Sequence, residues 1–388
     1  MLNIWQIHSS YSSKSFSGEN IYVERLHGLL SNNFESNKLC ISTDSLLLSN
    51  KKKYTQGLRY LLLKDKHIIE SVKKADLVVL HNTIPFISRE TLSVILEKTK
   101  VLKVWHNARP NCIAGGFYRE HGTCTACLDS KFGKFSSIIN RCYRNSMPQS
   151  AIIQSVEQKN ISLFKHPNMY HLAISEYIKG QIMTFGINQE KIITIPNFSQ
   201  ELEIVKEHGR DFIFVGRLDN AKGSAELITA WCLLSSQEKL ARKLHIVGSP
   251  ANQNWSEDIH ELVENTDNEI IIHGELSHSE INLLANKCRT LIAPSQWEEA
   301  FGNVSIEALS MGLRLIVTPS GALSSLGDIP GVIVAEGKSS LAILNAIQKD
   351  LSSSEISPTT ISKHWRLNYS VEIIEKKWNS HILKICSN

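Results

Sequence analysis

Residues 294–307, with the sequence PSQWEEAFGNVSIE, place two carboxylates next to the predicted start of a helix. Seven residues separate Glu299 from Glu307, and a Phe-Gly-Asn turn lies between them. The apolar run 291–293 predicts a buried strand before this block, and residues 305–311 predict the opening of a helix. Amides at a helix start bind phosphate, and carboxylates accept hydrogen bonds from sugar hydroxyls. The block therefore predicts a site for an anionic, hydroxyl-rich ligand. The alternative is a capped surface helix with two solvated glutamates.

A second candidate site follows another predicted strand. Residues 211–223 read DFIFVGRLDNAKG, which predicts a buried strand ending at Gly216-Arg217 and a turn ending at Lys222-Gly223. Open α/β sheets bind ligands at the carboxyl ends of their strands. The glycines allow close approach of the backbone, and an arginine with a lysine suits a departing diphosphate. Surface arginines and lysines are usually just solvated, so this motif gains its weight from the glutamate block.

The two motifs together resemble the Gly-Arg…Lys-Gly and Glu-x7-Glu signatures of the retaining glycosyltransferases of family 4, which have the GT-B fold. Shorter segments in the family's order extend the resemblance over nearly the whole chain. They are residues 16–20, 78–82, 104–107, 174–179, 191–197, 244–248 and 270–274. The first loop departs from the pattern, because many members carry Gly-Gly where this chain has only Gly18.

The resemblance implies a role for each candidate residue. Glu307 would accept hydrogen bonds from the ribose of a nucleotide sugar, and Glu299 from hydroxyls of the donor sugar. Arg217 and Lys222 would neutralise the leaving diphosphate. The remaining donor-binding positions are Gly18, Gly216, Phe301, Gly302, Asn303 and Val304.

In the N-terminal half, His106 follows a predicted buried strand. The resemblance implies that its ring hydrogen-bonds a sugar hydroxyl; a satisfied structural histidine is the alternative. The acceptor hydroxyl would lie over Gly18 and His106. Arg109 could steer an anionic acceptor, although an exposed surface role explains it equally well.

Strand and helix patterns alternate along the chain, which predicts doubly wound α/β sheets, and 388 residues predict two domains. With the resemblance, the expected fold is GT-B, in which two Rossmann-like domains face a central cleft. Residues 1–196 would bind the acceptor and carry a cysteine-rich insert at 107–145, and residues 197–358 would bind the nucleotide sugar. Residues 359–388 would cross back onto the N-terminal domain through a helix predicted at 371–385.

Four of the eight cysteines, Cys112, Cys124, Cys127 and Cys142, fall within one short stretch. A Cys-x-x-Cys pair flanked by two further cysteines predicts a structural zinc site, and His121 could replace one ligand. Four reduced thiols are the alternative. A cysteine-bearing insert also marks a subgroup of the resembling transferases. We predict no catalytic metal, because Arg217 and Lys222 can supply the positive charge.

Hydropathy and charge restrict the expected cellular location and the expected binding partners. No apolar run of about 18 residues occurs, and the first residues lack the features of a signal peptide, so we expect a cytoplasmic protein without a transmembrane helix. Basic residues of the N-terminal half could dock on the anionic inner face of the cytoplasmic membrane, and a solvated polar face is the alternative. These are Lys51, Lys52, Lys53, Lys64, Lys66, Lys73, Lys74, Lys131, Lys134, Arg141 and Arg144. No recognition motif accompanies the charge, so nucleic acid is not an expected partner.

The sequence thus predicts a retaining glycosyltransferase that moves a sugar from a nucleotide-diphosphate donor to a hydroxyl of a glycan. A lipid-linked oligosaccharide of bacterial surface polysaccharide (lipopolysaccharide) biosynthesis is the favoured acceptor. One alternative is a sugar-nucleotide epimerase of the same fold, which would need no acceptor. The other is a nucleotide-binding protein without turnover.

Overall fold

A computed structural model describes residues 1–10, 18–42, 64–84, 87–120, 122–129, 133–199, 201–251, 263 and 269–387. These residues form two compact units. Unit 1 contains Met1–Gly115, Thr125–Asn197 and Ile374–Asn388, and unit 2 contains Gly116–Cys124 and Phe198–Ile373. Several sequence predictions lie outside the described residues: the 16–17 part of the first loop, the basic and apolar runs 51–53 and 61–63, and the side chains of His121 and Lys131.

Unit 1 is built on a parallel sheet of six strands in the order β2-β1-β3-β4-β7-β8. The strands are β1 (Asn3–Ser10), β2 (Glu35–Ser42), β3 (Leu77–Leu80), β4 (Lys100–Trp105), β7 (Met169–Ala173) and β8 (Ile192–Thr194). All four residues of β3 are buried, which is typical of a parallel strand covered on both faces.

The helices of unit 1 follow the strands. They are α1 (Gly18–Ser31), α2 (Lys66–Ser71), α3 (Arg89–Lys98), α4 (Lys134–Ile139), α5 (Met147–Phe164), α6 (Glu176–Met183) and most of α13 (Val371–Ser387). The helix predicted at 371–385 is confirmed as α13, whose Ile374, Trp378 and Ile382 are fully buried. Lys100 Nζ donates to the Ile385 carbonyl at 2.9 Å, which ties this helix to β4.

Unit 2 has its own parallel sheet of six strands in the order β11-β10-β9-β12-β13-β14. The strands are β9 (Asp211–Val215), β10 (Leu244–Val247), β11 (Ile270–Gly274), β12 (Cys288–Ala293), β13 (Arg314–Val317) and β14 (Val332–Val334). A short antiparallel hairpin of β5 (Tyr118–Arg119) and β6 (Gly122–Thr123) also belongs to this unit.

The helices of unit 2 are α7 (Ser224–Cys232), α8 (Ser236–Lys239), α9 (His278–Ala285), α10 (Asn303–Ser310), α11 (Ser340–Ser352) and α12 (Pro358–Tyr369). The core lies between the sheet and α7 with α11, where Phe212, Trp231 and Ile347 are completely buried. Two parallel sheets with helical crossovers confirm the predicted doubly wound α/β class. Among the described helices, none is long and apolar enough to cross a bilayer.

Candidate functional site

The centre of the unit 2 sheet is where its strand order reverses. The chain runs outward from β9 through β10 to β11 on one side, and from β12 through β13 to β14 on the other. Crossovers from β9 and β12 therefore leave a crevice beyond their carboxyl ends, which is where such sheets bind ligands. Residues 216–223 follow β9, and residues 294–302 follow β12. The topology thus brings both sequence motifs to one edge of one sheet.

Gly223 allows these two loops to touch. Its φ is +74°, a left-handed conformation, and a Cβ there would lie 2.0 Å from the Pro294 carbonyl oxygen. No residue with a side chain fits this position without moving the loop. Asp219 organises the turn, because its carboxylate accepts from the Lys222 amide at 2.8 Å and also pairs with Arg217 Nε. The Arg217 side chain is otherwise exposed at the edge of the turn.

The central contact of the site is an ion pair between the two motifs. Lys222 Nζ lies 2.7 Å from Glu299 Oε1, and the Ser295 hydroxyl donates to the same oxygen at 2.7 Å. Burial alone would raise the pKa of Glu299, but the charge and hydrogen bond of Lys222, with the bond from Ser295, lower it below the usual value. Glu299 is therefore a buried, charged carboxylate held beside an ammonium group.

The helix after Glu299 begins two residues earlier than the sequence pattern predicts. Gly302 precedes α10 with a φ of +90°, and a Cβ there would lie 2.4 Å from Leu323 Cδ2. This glycine turns the chain so that Asn303 and Val304 form the first turn of α10, whose positive end suits an anion. Phe301 is buried and packs edge-on against Tyr369.

Glu307 is the second carboxylate of the block, and it lies within α10. It is half-buried, and His278 Nε2 approaches its Oε1 at 3.9 Å. Glu299 pairs with Lys222, whereas the ring of His278 approaches Glu307, so the two glutamates have different neighbours. Gly216 lies at the end of β9, where its amide donates to the Val247 carbonyl at 3.0 Å.

In unit 1, His106 follows β4 and stacks on a second histidine. Its Nε2 lies 3.1 Å from His81 Nδ1, and His81 Nε2 lies 3.0 Å from the Gln6 side-chain oxygen. With Gln6 as the acceptor, His81 carries its proton on Nε2, so His106 donates from Nε2 and presents an unprotonated Nδ1. Burial lowers the pKa of His106 to about 4, and the ring is neutral at neutral pH.

His106 lines a pocket with buried charges that the motifs do not include. Lys103 and Glu157 are 9% and 6% exposed. Burial lowers the pKa of Lys103 and raises that of Glu157, and the charge of each opposes the shift of the other. Arg109 and Glu19 complete the charged lining, and Gly18 opens α1 beside Glu19. The pocket thus offers donors and acceptors for a hydroxyl-rich group.

The predicted zinc site of four cysteines gains no support from the described residues. Within the described ranges, no group of three or more His, Cys, Asp or Glu side chains could hold an ion. Cys124 belongs to unit 2, whereas Cys112, Cys127 and Cys142 belong to unit 1. The Lys134 ammonium donates to the carbonyls of residues 110 and 111 at 3.1 Å. The prediction of structural zinc is not supported.

Sequence reasoning missed several side chains of both units. Lys103 interrupts the apolar strand β4, and Glu157 lies on the buried face of α5. The sequence did offer a signal, which is a charged residue inside an apolar pattern. Isolated charges are rarely buried, so such a residue indicates a special site. Trp297, whose ring lies 4.9 Å from Lys222 Nζ, was missed because nothing local marks an aromatic residue for a cation.

Comparison with known proteins finds a family similarity in the second half of the chain. The family model described as "Glycosyl transferases group 1" matches residues 197–362, the segment that carries both motifs. Residues 197–362, less than half of the chain, thus resemble a group 1 glycosyltransferase domain. The lipopolysaccharide 1,2-N-acetylglucosaminetransferase of Salmonella typhimurium is 28% identical over 167 residues, which are 41% of this chain and 43% of that protein. The match thus spans less than half of the length of this curated relative.

Solved glycosyltransferase structures resemble this chain over its whole length. The apo form of the lipopolysaccharide outer core galactosyltransferase WaaB has a TM-score of 0.65 at 16% identity, covering 98% of this chain and 99% of that one. Anabaena HepE in complex with UDP and glucose gives 0.65 at 12% identity, with coverage of 98% and 99%. Sucrose-phosphate synthase of Thermosynechococcus elongatus gives 0.67 at 14% identity, with coverage of 100% for both. At these identities the likeness establishes the fold, which is GT-B.

Proposed function

We propose that this protein is a retaining glycosyltransferase that transfers a sugar from a nucleoside diphosphate to a hydroxyl of a glycan. The observation that carries the proposal is the Lys222–Glu299 ion pair at the switch point of unit 2, inside the group 1 glycosyltransferase domain. A nucleotide sugar needs positive charge at its diphosphate and acceptors for its hydroxyls. This edge of the sheet offers both.

In the proposed complex the diphosphate lies against Arg217, Lys222 and the first turn of α10. Glu299 accepts hydrogen bonds from hydroxyls of the donor sugar, and Glu307 accepts them from the ribose. The buried carboxylate of Glu299 stays ionised because Lys222 stabilises its charge, so it remains an acceptor across the neutral range. His106, neutral for the same range, accepts from a sugar hydroxyl through Nδ1.

The proposed chemistry exchanges one glycosidic bond for another. The bond between the anomeric carbon and the diphosphate oxygen breaks, and the acceptor oxygen bonds to the same face of that carbon. The acceptor proton passes to the leaving phosphate oxygen. Arg217 and Lys222 stabilise the negative charge that develops there, which is the role that a divalent cation plays in other transferases.

The substrate class follows from relatives and from the pocket of unit 1. A lipopolysaccharide N-acetylglucosaminyltransferase and a lipopolysaccharide galactosyltransferase are among the similar proteins, and the structure of HepE holds UDP and glucose. The mixed charges around His106 suit a hydroxyl-rich acceptor. We therefore propose a uridine diphosphate sugar as donor and an oligosaccharide of bacterial surface polysaccharide, such as lipopolysaccharide core, as acceptor.

The proposal includes contact with an anionic membrane, where a lipid-linked acceptor would lie. Lys64, Lys66, Lys73 and Lys74 are exposed around α2, which supports electrostatic attraction to such a surface. Sedimentation with vesicles containing 30% phosphatidylglycerol tests this, with purely zwitterionic vesicles as the control. Equal binding to both, or none to either, contradicts the membrane contact and leaves the transferase proposal intact.

The decisive experiment replaces Glu299 by Ala. Losing a hydrogen bond to the reacting sugar should lower turnover roughly a hundredfold. Release of UDP from UDP-glucose, UDP-galactose and UDP-N-acetylglucosamine would be followed with lipopolysaccharide core oligosaccharide as acceptor. The matched control is Glu336→Ala, an exposed glutamate of the same domain that should leave turnover unchanged.

Wild-type turnover by Glu299→Ala would reject the assigned site. Conversion of the nucleotide sugar without an acceptor would favour the epimerase. An inverted anomeric configuration in the NMR spectrum of the product would reject the retaining mechanism alone.

A further inference from the structure

Residues 116–124 come from the N-terminal half of the sequence but pack inside unit 2. They contain the β5–β6 hairpin, in which Tyr118 pairs with Thr123 and Arg119 with Gly122. The amide of Cys124 donates to the Phe117 carbonyl at 2.7 Å, which closes the base of the hairpin. We refer to these residues as the 116–124 segment.

Hydrogen bonds fix both ends of the 116–124 segment to the loop that carries Glu299. At one end the Glu298 amide donates to the Gly116 carbonyl at 2.7 Å. At the other end Lys338 Nζ donates to Thr123 Oγ1 at 3.3 Å. The same ammonium contacts Glu298 Oε1 at 2.7 Å and the Gln296 carbonyl at 2.8 Å. One lysine therefore links the hairpin to the residues that immediately precede Glu299.

Gly116 meets the ring of Trp297 without a side chain between them. A Cβ at Gly116 would lie 2.7 Å from Trp297 Cε3 and 3.2 Å from Cδ2, closer than atoms of a packed core approach. Lys222 also contacts this ring, with its Nζ 4.9 Å from the ring centroid. The Gly116 backbone and the Lys222 ammonium thus both limit where the ring lies.

Tyr118 places the hairpin near the other loop of the site. Burial raises its pKa to about 12, and the negative charges of Glu226 and Asp219 add to the effect. Asp219 is the residue that organises the turn between Arg217 and Lys222. The charge of Asp219 thus acts on Tyr118, and Gly116 bonds to the loop that carries Glu299.

We propose that the base of the 116–124 segment, where Gly116 and Thr123 bond to the loop that carries Glu299 and to Lys338, is a wall of the nucleotide-sugar site. In this wall, which excludes Gly122, Gly116 is a positioning residue that holds the Trp297 ring against Lys222. This inference rests on the proposed function, since the site is the one assigned there to the donor. The Lys222 side chain must point in a fixed direction to contact both Glu299 and a diphosphate. The Trp297 ring, held in place by the Gly116 backbone, fixes that direction. The segment acts through Trp297 and contacts no reacting atom itself.

The test compares two glycines of the same hairpin. Gly116→Ala puts a methyl group into the space of the Trp297 ring, whereas Gly122→Ala meets no atom within 4 Å. Binding of UDP, GDP and ADP would be measured by calorimetry. For the nucleotide that binds the wild type, Gly116→Ala should raise Kd on the order of tenfold, since small displacements at such sites are costly. Gly122→Ala should leave Kd unchanged.

A double-mutant cycle shows whether the effect passes through Trp297. In a Trp297→Ala background the added methyl at Gly116 meets no ring, so it should change Kd no further. A full effect in that background, or equal Kd values for the Gly116 and Gly122 variants, overturns the inference. Failure of all three nucleotides to bind the wild type rejects the proposed function itself, and the wall with it.

A second variant covers the case in which Gly116→Ala does not fold. Lys338→Met removes the link between Thr123 and Glu298 without adding atoms beside Trp297. It should also weaken nucleotide binding, while Lys349→Met, an exposed lysine of α11, should not. If Lys338→Met binds the nucleotide with the Kd of the wild type, the proposal that this segment forms a wall of the site is wrong.

Discussion

At the scale of single residues, burial sets the charge of His171 in unit 1. His171 is completely buried: its Nδ1 accepts from Trp105 Nε1 at 3.0 Å and its Nε2 donates to the Phe164 carbonyl at 2.9 Å. Both bonds require the neutral ring. Burial lowers the pKa of His171 to about 3, and the nearby charges of Lys103 and Lys191 lower it further, against the effect of the Phe164 hydrogen bond.

This histidine predicts a specific dependence of stability on pH. The unfolded chain binds the proton with a pKa near 6.5 and the folded protein near 3. Stability is therefore lost as the pH falls below 6.5, by about 1.4 kcal/mol for each pH unit. In His171→Gln the free energy of unfolding, measured in urea between pH 5.5 and 4, should have a slope that is smaller by about this amount.

The matched control for this slope is His67→Gln, an exposed histidine of the same unit, which should keep the wild-type slope. An unchanged slope in His171→Gln would mean that the folded protein protonates His171 as readily as the unfolded chain does. The neutral state of the ring would then be wrong.

At the scale of elements, a buried ion pair attaches α11 to the sheet of unit 2. Asp350 and Arg314 are 1% and 2% exposed, and Arg314 Nε lies 2.6 Å from Asp350 Oδ1. Oδ2 of the same carboxylate accepts from Arg289 Nε at 3.0 Å and from the Thr290 hydroxyl at 2.8 Å. One residue of α11 thus bonds to both β12 and β13, the strands that lead into the proposed donor site and away from it.

Removing this carboxylate should destabilise unit 2. In Asp350→Ala the Arg314 charge stays buried without its partner, which typically costs about 3–5 kcal/mol. For a unit of this size the unfolding midpoint should fall by roughly 10 °C. Differential scanning calorimetry measures the change, with Asp328→Ala as an exposed control that should shift the midpoint little. A midpoint close to that of the wild type would mean that the pair adds little to stability.

At the scale of the whole molecule, two units with separate parallel sheets and cores make up the chain. Only unit 2 carries the proposed diphosphate site, so a nucleotide should stabilise this unit. A ligand at 100 times its Kd adds about 2.7 kcal/mol, which is a shift of roughly 5–10 °C for a unit of this size. Thermal unfolding with UDP, GDP and ADP would show it.

The Arg217→Ala variant decides whether that stabilisation comes from the proposed site. Arg217 is exposed beside the turn, so its removal should spare the fold and abolish most of the nucleotide-dependent shift. Arg210→Ala, an exposed arginine of the same unit, should retain it. A full shift in Arg217→Ala would place the nucleotide elsewhere.

The sequence by itself determined the class of fold and the two loops of the proposed donor site. Apolar runs such as 212–215 and 291–293 are local signals, and so are the glycines that end the turns at Gly223 and Gly302. Such local signals predict the fold correctly because a buried strand requires apolar residues and a left-handed turn requires glycine at its own positions. The pairing of Lys222 with Glu299 across 77 positions followed only from strand order, which places β9 beside β12.

Tertiary structure alone decided the rest. It placed residues 116–124 of the predicted insert in unit 2, and among the described residues the four cysteines form no group that could hold a metal. It also buried Lys103 and Glu157 in one pocket of unit 1. The physical reason is the same in each case. Cysteine spacing and isolated charges describe neighbours along the chain, whereas metal binding and charge burial depend on neighbours in space, which the packing of distant segments determines.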